Sequence, residues 1–160
     1  MELEELKRNV GEWSEDNFGD QTPLAPAMGF AEEFAELVEA ESCGTHEEVK
    51  DSIGDMAVYL CDYAYRTDLD LSHVNLKRVS AVSDGGRYEQ IILNYGALCR
   101  SALKTYQGIR LDEDRVGPEA EKRALDVIFR QLVGIAFRND TTFEECIDHA
   151  WELEVKHRSW

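Results

Sequence analysis

The stretch GFAEEFAELVEAESCGTHEEVKDSIGDMAVYLCDYAYR, from Gly29 to Arg66, predicts the fold of the chain. On both sides of a short break, its apolar residues recur at the three- and four-residue spacing of an amphipathic helix. The break ends at Thr45, and Glu48 follows three residues later, which is the spacing of a capping box. The stretch therefore predicts two antiparallel helices, at about residues 27–42 and 46–67, joined by a tight turn.

The same helical spacing recurs on both sides of this hairpin, while strand-like alternation is scarce. We predict further helices at about 2–18, 87–107, 119–139 and 142–158, and a shorter helix that begins near Asp70 or Ser72. The chain is then one all-α domain over residues 1–160, with a four-helix core made of hairpins at about 27–67 and 87–139. A weak similarity between the hairpins fits a degenerate tandem repeat, although chance similarity explains it equally well.

Each predicted helix has an apolar stripe that we expect to face the core. The predicted core residues are Phe30, Phe34, Leu37 and Val38; Ile53, Met56, Ala57 and Leu60; Ile91, Ile92, Tyr95, Leu98, Cys99, Ala102 and Tyr106; Leu125, Ile128, Leu132 and Ile135; and Phe143, Ile147, Trp151 and Val155. The helical interpretation therefore makes a residue-by-residue prediction of burial.

The charge of the chain is strongly negative, because 17 Lys and Arg stand against 33 Asp and Glu, a formal net charge of −16. Phosphate backbones and anionic membranes would be repelled, which argues against nucleic acids and membranes as partners. Four scattered cysteines, three of them within apolar patterns, predict reduced thiols and not a zinc site. Because no apolar leader is present, we expect a cytoplasmic protein.

Acidic residues crowd one side of each helix in the 27–67 hairpin. On a helical projection they cover an arc of about 120° in the first helix and about 60° in the second. Two such arcs at a shared seam suit Mg²⁺, or Mn²⁺, which binds carboxylate oxygens and keeps positions open for phosphate and water. A solvated acidic face is the alternative. The residues are Glu32, Glu33, Glu36, Glu39, Glu48, Asp51, Asp55 and Asp62.

The segments EEFAE (residues 32–36) and DSIGD (residues 51–55) resemble the E-E-x-x-E … E-x-x-D pattern of MazG-type all-α nucleoside triphosphate pyrophosphohydrolases. Similar stretches are the lead-in EWSEDNFGDQTPLAPAMG, the segment LKTYQGIR and the closing AWELEVKHRSW. Ser52 departs from the pattern, because the family has Glu at this position. Asp51 lies on nearly the same helix face as Asp55, so we expect D-x-x-x-D to replace the family's pair.

The resemblance implies Mg²⁺-dependent hydrolysis of a (d)NTP between the α and β phosphates, giving a nucleoside monophosphate and pyrophosphate. The implied metal ligands are Glu33, Glu36, Asp51 and Asp55. Glu32 is the implied base that orients or deprotonates the attacking water. Glu48 and Asp62 are expected to support the ligands or to hold a second ion.

A triphosphate also needs cations and a base needs a planar surface. The candidates for phosphate binding are Lys104, Arg110, Lys156 and Arg158, and those for the base are Trp13 and Phe18. Tyr59, Asn94 and Trp160 are further possibilities, whereas Trp151 is expected in the core. His46, His73, His149 and His157 have no triad or metal spacing and are expected at the surface.

Two other functions stay open on the sequence alone. One is a related enzyme that acts on another nucleotide diphosphate linkage, such as that of phosphoribosyl-ATP. The other is a non-catalytic helical module for oligomerisation or regulation, whose acids only solvate it. Because relatives complete their sites at subunit interfaces, we expect a homo-oligomer, with a dimer favoured over a tetramer.

Overall fold

The computed structural model describes residues 2–76, 84–110 and 116–159, and every regular element within these ranges is a helix. The predicted all-α class is therefore confirmed. No helix among the described residues is long and apolar enough to cross a bilayer. The elements are α1 (Leu3–Phe18), α2 (Leu24–Cys43), α3 (His46–Arg66), α4 (Asp84–Tyr106), α5 (Pro118–Arg138), α6 (Phe143–Ile147), a π-helix (Asp148–Glu154) and a 3₁₀ turn (Val155–His157).

The α2–α3 hairpin forms as the sequence predicts. Thr45 is the N-cap of α3: its hydroxyl accepts a hydrogen bond from the backbone N–H of Glu48 at 3.2 Å. In return, Glu48 Oε2 accepts the backbone N–H of Thr45 at 2.6 Å, which completes the capping box. The turn satisfies the exposed amides at the start of α3 and directs this helix back along α2.

Helix α3 lies at the centre of the molecule, where it contacts α1, α2, α5, α6 and the π-helix. Its predicted core residues Ile53, Met56 and Leu60 are each at most 1% exposed. Helices α4 and α5 form the second hairpin, which packs on the first through α2–α4 and α3–α5 contacts. The four predicted core residues of α5, from Leu125 to Ile135, are fully buried.

The C-terminal segment (residues 143–158) is not the single α-helix that the sequence predicts. Helix α6 starts with a second capping box, between Thr142 and Glu145, and gives way to the π-helix after Ile147. The predicted contacts survive this change, because Phe143, Ile147, Trp151 and Val155 are all buried. Tertiary packing against α3 therefore determines the local helix type, while the apolar spacing determines which residues are buried.

Other predictions about the helices are wrong or extend beyond the described residues. Three residues predicted in the core are largely exposed, namely Val38 (45%), Ile92 (48%) and Tyr106 (68%), because the apolar stripes of α2 and α4 are wider than the surfaces they bury. Residues 70–76 contain no helix, since the Asp70 carboxylate accepts the backbone N–H of Ser72 in a tight turn. The rest of that predicted helix, and Trp160, lie outside the described residues.

Candidate functional site

A pocket of about 410 Å³ opens between α1, α2, α3 and the C-terminal segment. Its volume is in the range of small-molecule sites in proteins. We call it the main pocket. Its lining combines apolar, aromatic, acidic and basic side chains, including Val10, Trp13, Phe18, Pro26, Glu32, Glu33, Asp55, Val58, Tyr59, Asp62, Val155 and Arg158.

Four carboxyl groups from the α2–α3 hairpin meet beside this pocket, and we call them the acidic cluster: Glu33, Glu36, Asp51 and Asp55. Glu33 and Asp55 line the main pocket. Glu36 and Asp51 line a neighbouring groove of about 560 Å³ between α2 and α3. The structure thus brings together the four residues that the resemblance implies as metal ligands.

The electrostatics show how closely these groups interact. Burial, and then the negative charges of Asp55, Glu36, Asp51 and Glu32, raise the pKa of Glu33 to about 8. Burial and the charge of Asp51 raise the pKa of Asp55 to about 7, although the positive charge of Arg158 opposes this shift. Without a cation, the cluster therefore cannot keep all its carboxylates ionised near neutral pH at low cost.

The polar atoms of the cluster lack donors that would stabilise their charge. Asp51 Oδ1 is shielded from solvent and accepts no hydrogen bond. Within the described part of the chain, no hydrogen bond or ion pair engages the carboxyl groups of Glu33 or Asp55. Mg²⁺ and Mn²⁺ bind carboxylate oxygens, and no hydrogen-bond donor neutralises the charge of these ones. The residues present therefore fit such an ion.

Ser52, at the position where the similar family has Glu, lines the same groove as Glu36 and Asp51. It is only 4% exposed, and its hydroxyl donates to the backbone oxygen of Glu48 at 3.0 Å. Asp51, one residue earlier, faces the groove together with Glu36. Asp51 therefore supplies a carboxylate to the groove that Ser52 also lines.

Glu32 lies at the rim of the main pocket, exposed to water and adjacent to Glu33. Its charge contributes to the raised pKa of Glu33, which places the two carboxyl groups within one electrostatic environment. A solvent-exposed carboxylate beside a metal site can accept a proton from a bound water. This position is compatible with the role implied for Glu32.

Aromatic side chains form one wall of the main pocket. The rings of Trp13 and Phe18 meet edge to face with centroids 5.6 Å apart, and Phe18 is 42% exposed. Tyr59 also lines the pocket and packs directly on the α2 backbone, since a Cβ atom on Gly29 would lie 2.2 Å from the tyrosine ring. Both residues proposed for base binding therefore reach the pocket, as does Tyr59.

Glu48 and Asp62, which the resemblance implies as supporting residues or as a second ion site, both accept hydrogen bonds. The Oε2 atom of Glu48 accepts both the backbone N–H and the hydroxyl of Thr45. Asp62 lines the main pocket, but its two oxygens are occupied by Ser14 Oγ at 3.0 Å and Arg66 Nε at 2.9 Å. The bond between Ser14 and Asp62 ties α1 to α3, while Glu48 also lines the groove that contains Glu36 and Asp51.

Among the four cations proposed for phosphate, Arg158 alone lines the main pocket. Lys104 lies in the last turn of α4, where it donates to Gln107, and Arg110 follows the end of this helix. Lys156 is exposed and pairs with Glu152. Phosphate binding by the other three stays a prediction, since none of them lines the main pocket.

The remaining aromatic and amide candidates are placed elsewhere. Asn94 donates to the backbone oxygen of Gln90 on α4 and does not line the main pocket. Trp151 is buried, as predicted, with its ring 6.1 Å from that of Trp13. Trp13 Nε1 also donates to the backbone oxygen of Arg158 at 3.1 Å. This hydrogen bond joins the C-terminal segment to α1 beside the main pocket, which the Arg158 side chain lines.

Two residues near the acidic cluster were missed from the sequence. His149, which we expected to be a plain surface residue, is half-buried, with Nε2 3.7 Å from Asp51 Oδ1. Glu154 lies beside it, with Oε1 4.0 Å from the same nitrogen. In an α-helix, residues five apart are separated by about 140°, so no helical pattern would have paired them.

Comparison of the chain with protein-family models, with curated proteins and with solved structures yields no match. The geometry of the site and the motif in the sequence are therefore what indicate a function.

Proposed function

We propose that this protein is a Mg²⁺-dependent nucleoside triphosphate pyrophosphohydrolase that converts a (d)NTP to a (d)NMP and pyrophosphate and helps to clear the nucleotide pool. The observation that carries the proposal is the convergence of Glu33, Glu36, Asp51 and Asp55 beside a pocket with an aromatic wall and Arg158. The setting would be the cytoplasm, which suits the free cysteines.

The acidic cluster would hold the metal ion, which when bound supplies charge neutralisation of the phosphates and polarisation of the phosphorus atom. Glu32 would orient the attacking water and accept its proton at the rim of the pocket. Arg158, held by Glu154 at 2.5 Å and able to reach the pocket, would neutralise a phosphate oxygen. Glu32, Arg158 and two members of the acidic cluster line the main pocket, and the other two members line the neighbouring groove.

The nucleoside would lie in the apolar part of the main pocket. Trp13 and Phe18 offer ring faces and edges on which a base can stack. Val10 and Val58 supply apolar contacts around them. Carboxylates and aromatic rings line the same pocket, a combination that suits a substrate with an anionic and an aromatic end.

The test is release of pyrophosphate from a panel of (d)NTPs in the presence of Mg²⁺. We expect turnover by the wild-type chain, and a loss of about 100-fold or more in Asp55→Asn and Glu36→Gln, because each removes one metal ligand. Glu89→Gln, which removes an exposed acid from α4, is the matched control and should keep wild-type rates. Near-normal turnover in either ligand variant, with intact helical circular dichroism, would contradict the assignment.

A non-catalytic oligomerisation module is the second candidate, since α4 exposes the large apolar side chains Ile92 (48%), Leu93 (60%) and Leu103 (40%). Self-association through such a face also fits the expectation of a dimeric enzyme. No turnover with any nucleotide, together with an unchanged melting temperature on addition of Mg²⁺ or Mn²⁺, would favour the module. Turnover of phosphoribosyl-ATP alone would favour the related enzyme.

A further inference from the structure

A second group of potential metal ligands lies beside the acidic cluster, where the C-terminal segment crosses α3. One ligand atom from each of Asp51, His149 and Glu154 lies within 4.8 Å of the others. His149 Nε2 is 3.7 Å from Asp51 Oδ1 and 4.0 Å from Glu154 Oε1. These separations are too long for hydrogen bonds, and they leave room for an ion between the three atoms.

The backbone of the C-terminal segment is what brings His149 and Glu154 together. They are five residues apart, and both lie in the seven-residue π-helix Asp148–Glu154. Because a π-helix is closed by hydrogen bonds between residues i and i+5, residues five apart come onto one face, which an α-helix does not allow. A π-helix is rare and is frequently found at functional sites, so its position here is an observation independent of the residue types.

The surroundings of the three residues leave the ligand atoms available. Asp51 Oδ1 is shielded from solvent and has no hydrogen-bond partner. Arg158 binds Oε2 of Glu154, which leaves Oε1 directed at the imidazole. On the other side of the ring, Glu47 Oε2 is 3.7 Å from His149 Nδ1. This is the side on which an outer carboxylate orients a metal-binding histidine.

We propose that Asp51, His149 and Glu154 bind a divalent transition-metal ion of the Mn²⁺, Co²⁺ or Zn²⁺ class. An imidazole nitrogen with two carboxylate oxygens favours these ions over Mg²⁺, which prefers oxygen ligands alone. Asp51 also belongs to the acidic cluster, so the new site adjoins the proposed Mg²⁺ site and shares one residue with it. The inference concerns metal binding and does not depend on hydrolysis of a nucleotide.

The experiment uses Mn²⁺ as the probe with the untagged full-length chain. Electron spin echo measurements detect the ¹⁴N nucleus of an imidazole that binds Mn²⁺, whereas a site made of carboxylates alone gives no such signal. We expect a ¹⁴N signal in the wild-type protein, its loss in His149→Gln, and its retention in the matched control His46→Gln, which alters an exposed histidine of α3. Absence of the signal in wild type, or its persistence in His149→Gln, overturns the proposal.

A second measurement covers the case in which His149→Gln is poorly folded. Glu154→Gln removes the other new ligand while its amide can still contact Arg158, and we expect it to weaken Co²⁺ binding at least tenfold. Unchanged Co²⁺ affinity in a folded Glu154→Gln protein also overturns the proposal. Because neither readout involves turnover, an inactive protein that shows the ¹⁴N signal would refute the proposed hydrolysis and leave this site standing.

Discussion

The α2–α3 and α4–α5 hairpins bury their apolar residues in the same way but differ in how their charged groups are paired. In both, the inner stripes are almost completely buried, as Met56 and Leu60 show in one and Ile128 and Leu132 in the other. The helices of each pair pack on each other, and α3 and α5 join the two pairs. Apolar packing therefore does not distinguish the hairpin that carries the candidate site.

The buried acid Glu121 and the half-buried acid Asp126 of α5 both have hydrogen-bonding partners. Glu121 accepts a 2.6 Å hydrogen bond from the Tyr63 hydroxyl, which reaches across from α3. Arg130 forms an ion pair with Asp126 at 2.6 Å, one turn away on the same helix. Such pairing removes most of the cost of taking a polar group out of water.

In α2–α3, by contrast, half-buried acids face one another. Burial and mutual repulsion raise the pKa of Glu33 to about 8 and that of Asp55 to about 7. When ionised, these groups reduce the stability of the metal-free fold. Uncompensated charge, more than burial, therefore distinguishes the candidate site from the scaffold.

The largest effect on stability is expected where the hairpin carrying the site meets the C-terminal segment. Gly54 of α3 allows close approach, since a Cβ atom there would lie 2.2 Å from the Cys146 backbone oxygen and 2.6 Å from Ala150 Cβ. We expect Gly54→Ala to lower the free energy of unfolding by about 3 kcal/mol and the melting temperature by about 6–12 °C. Chemical denaturation measures this, and a loss below about 1 kcal/mol would show that the segment is loosely held.

A smaller effect of opposite sign is expected from Glu33→Gln in metal-free protein. The folded-state pKa is raised, so ionisation destabilises the fold progressively as pH rises from about 4.5 to about 8. The variant should therefore match wild type at low pH and be more stable at pH 8. Since the carboxyl is partly exposed, screening limits the gain to about 1 kcal/mol, or about 2–4 °C in melting temperature.

Thermal melts with EDTA and with Mg²⁺, across this pH range, measure the effect of Glu33→Gln. Mg²⁺ should raise the melting temperature of wild type and have little effect on the variant. Glu89→Gln on α4 makes the same change of charge at an exposed position and serves as the control. If Glu33→Gln were less stable than wild type at pH 8 without metal, the charge of Glu33 would not destabilise the fold. The difference in charge pairing between the two hairpins would then have no effect on stability.

The smallest effect is expected on the exposed side of α4. Nothing lies within 4 Å of a Cβ atom built on Gly96, in contrast to Gly54. Gly96→Ala should therefore stabilise the chain by about 0.5–1 kcal/mol through helix propensity alone. Thermal melts at two protein concentrations test this. A loss of stability that depends on concentration would show that a second copy covers this face.

Much of the fold was predictable because local patterns determine it. The break at Thr45, its capping box and the apolar spacing of α3 predicted the α2–α3 hairpin, and the structure has all three. The convergence of the four acids also followed from helix periodicity and a short turn. The buried stripe of the C-terminal segment was predicted too, although its helix type was not.

The sequence by itself determined the helices, the hairpins and the acidic faces, because these depend on residues a few positions apart. Only the tertiary structure decided which charged groups are paired. In the folded chain, Asp62 is hydrogen-bonded to Ser14 and Arg66. Lys104 lies in the last turn of α4 and donates to Gln107, whereas Arg158 lines the main pocket. The tertiary structure also brought His149 to Asp51 through a π-helix. The physical reason is that these contacts join distant parts of the chain, and packing of the C-terminal segment on α3 sets their geometry.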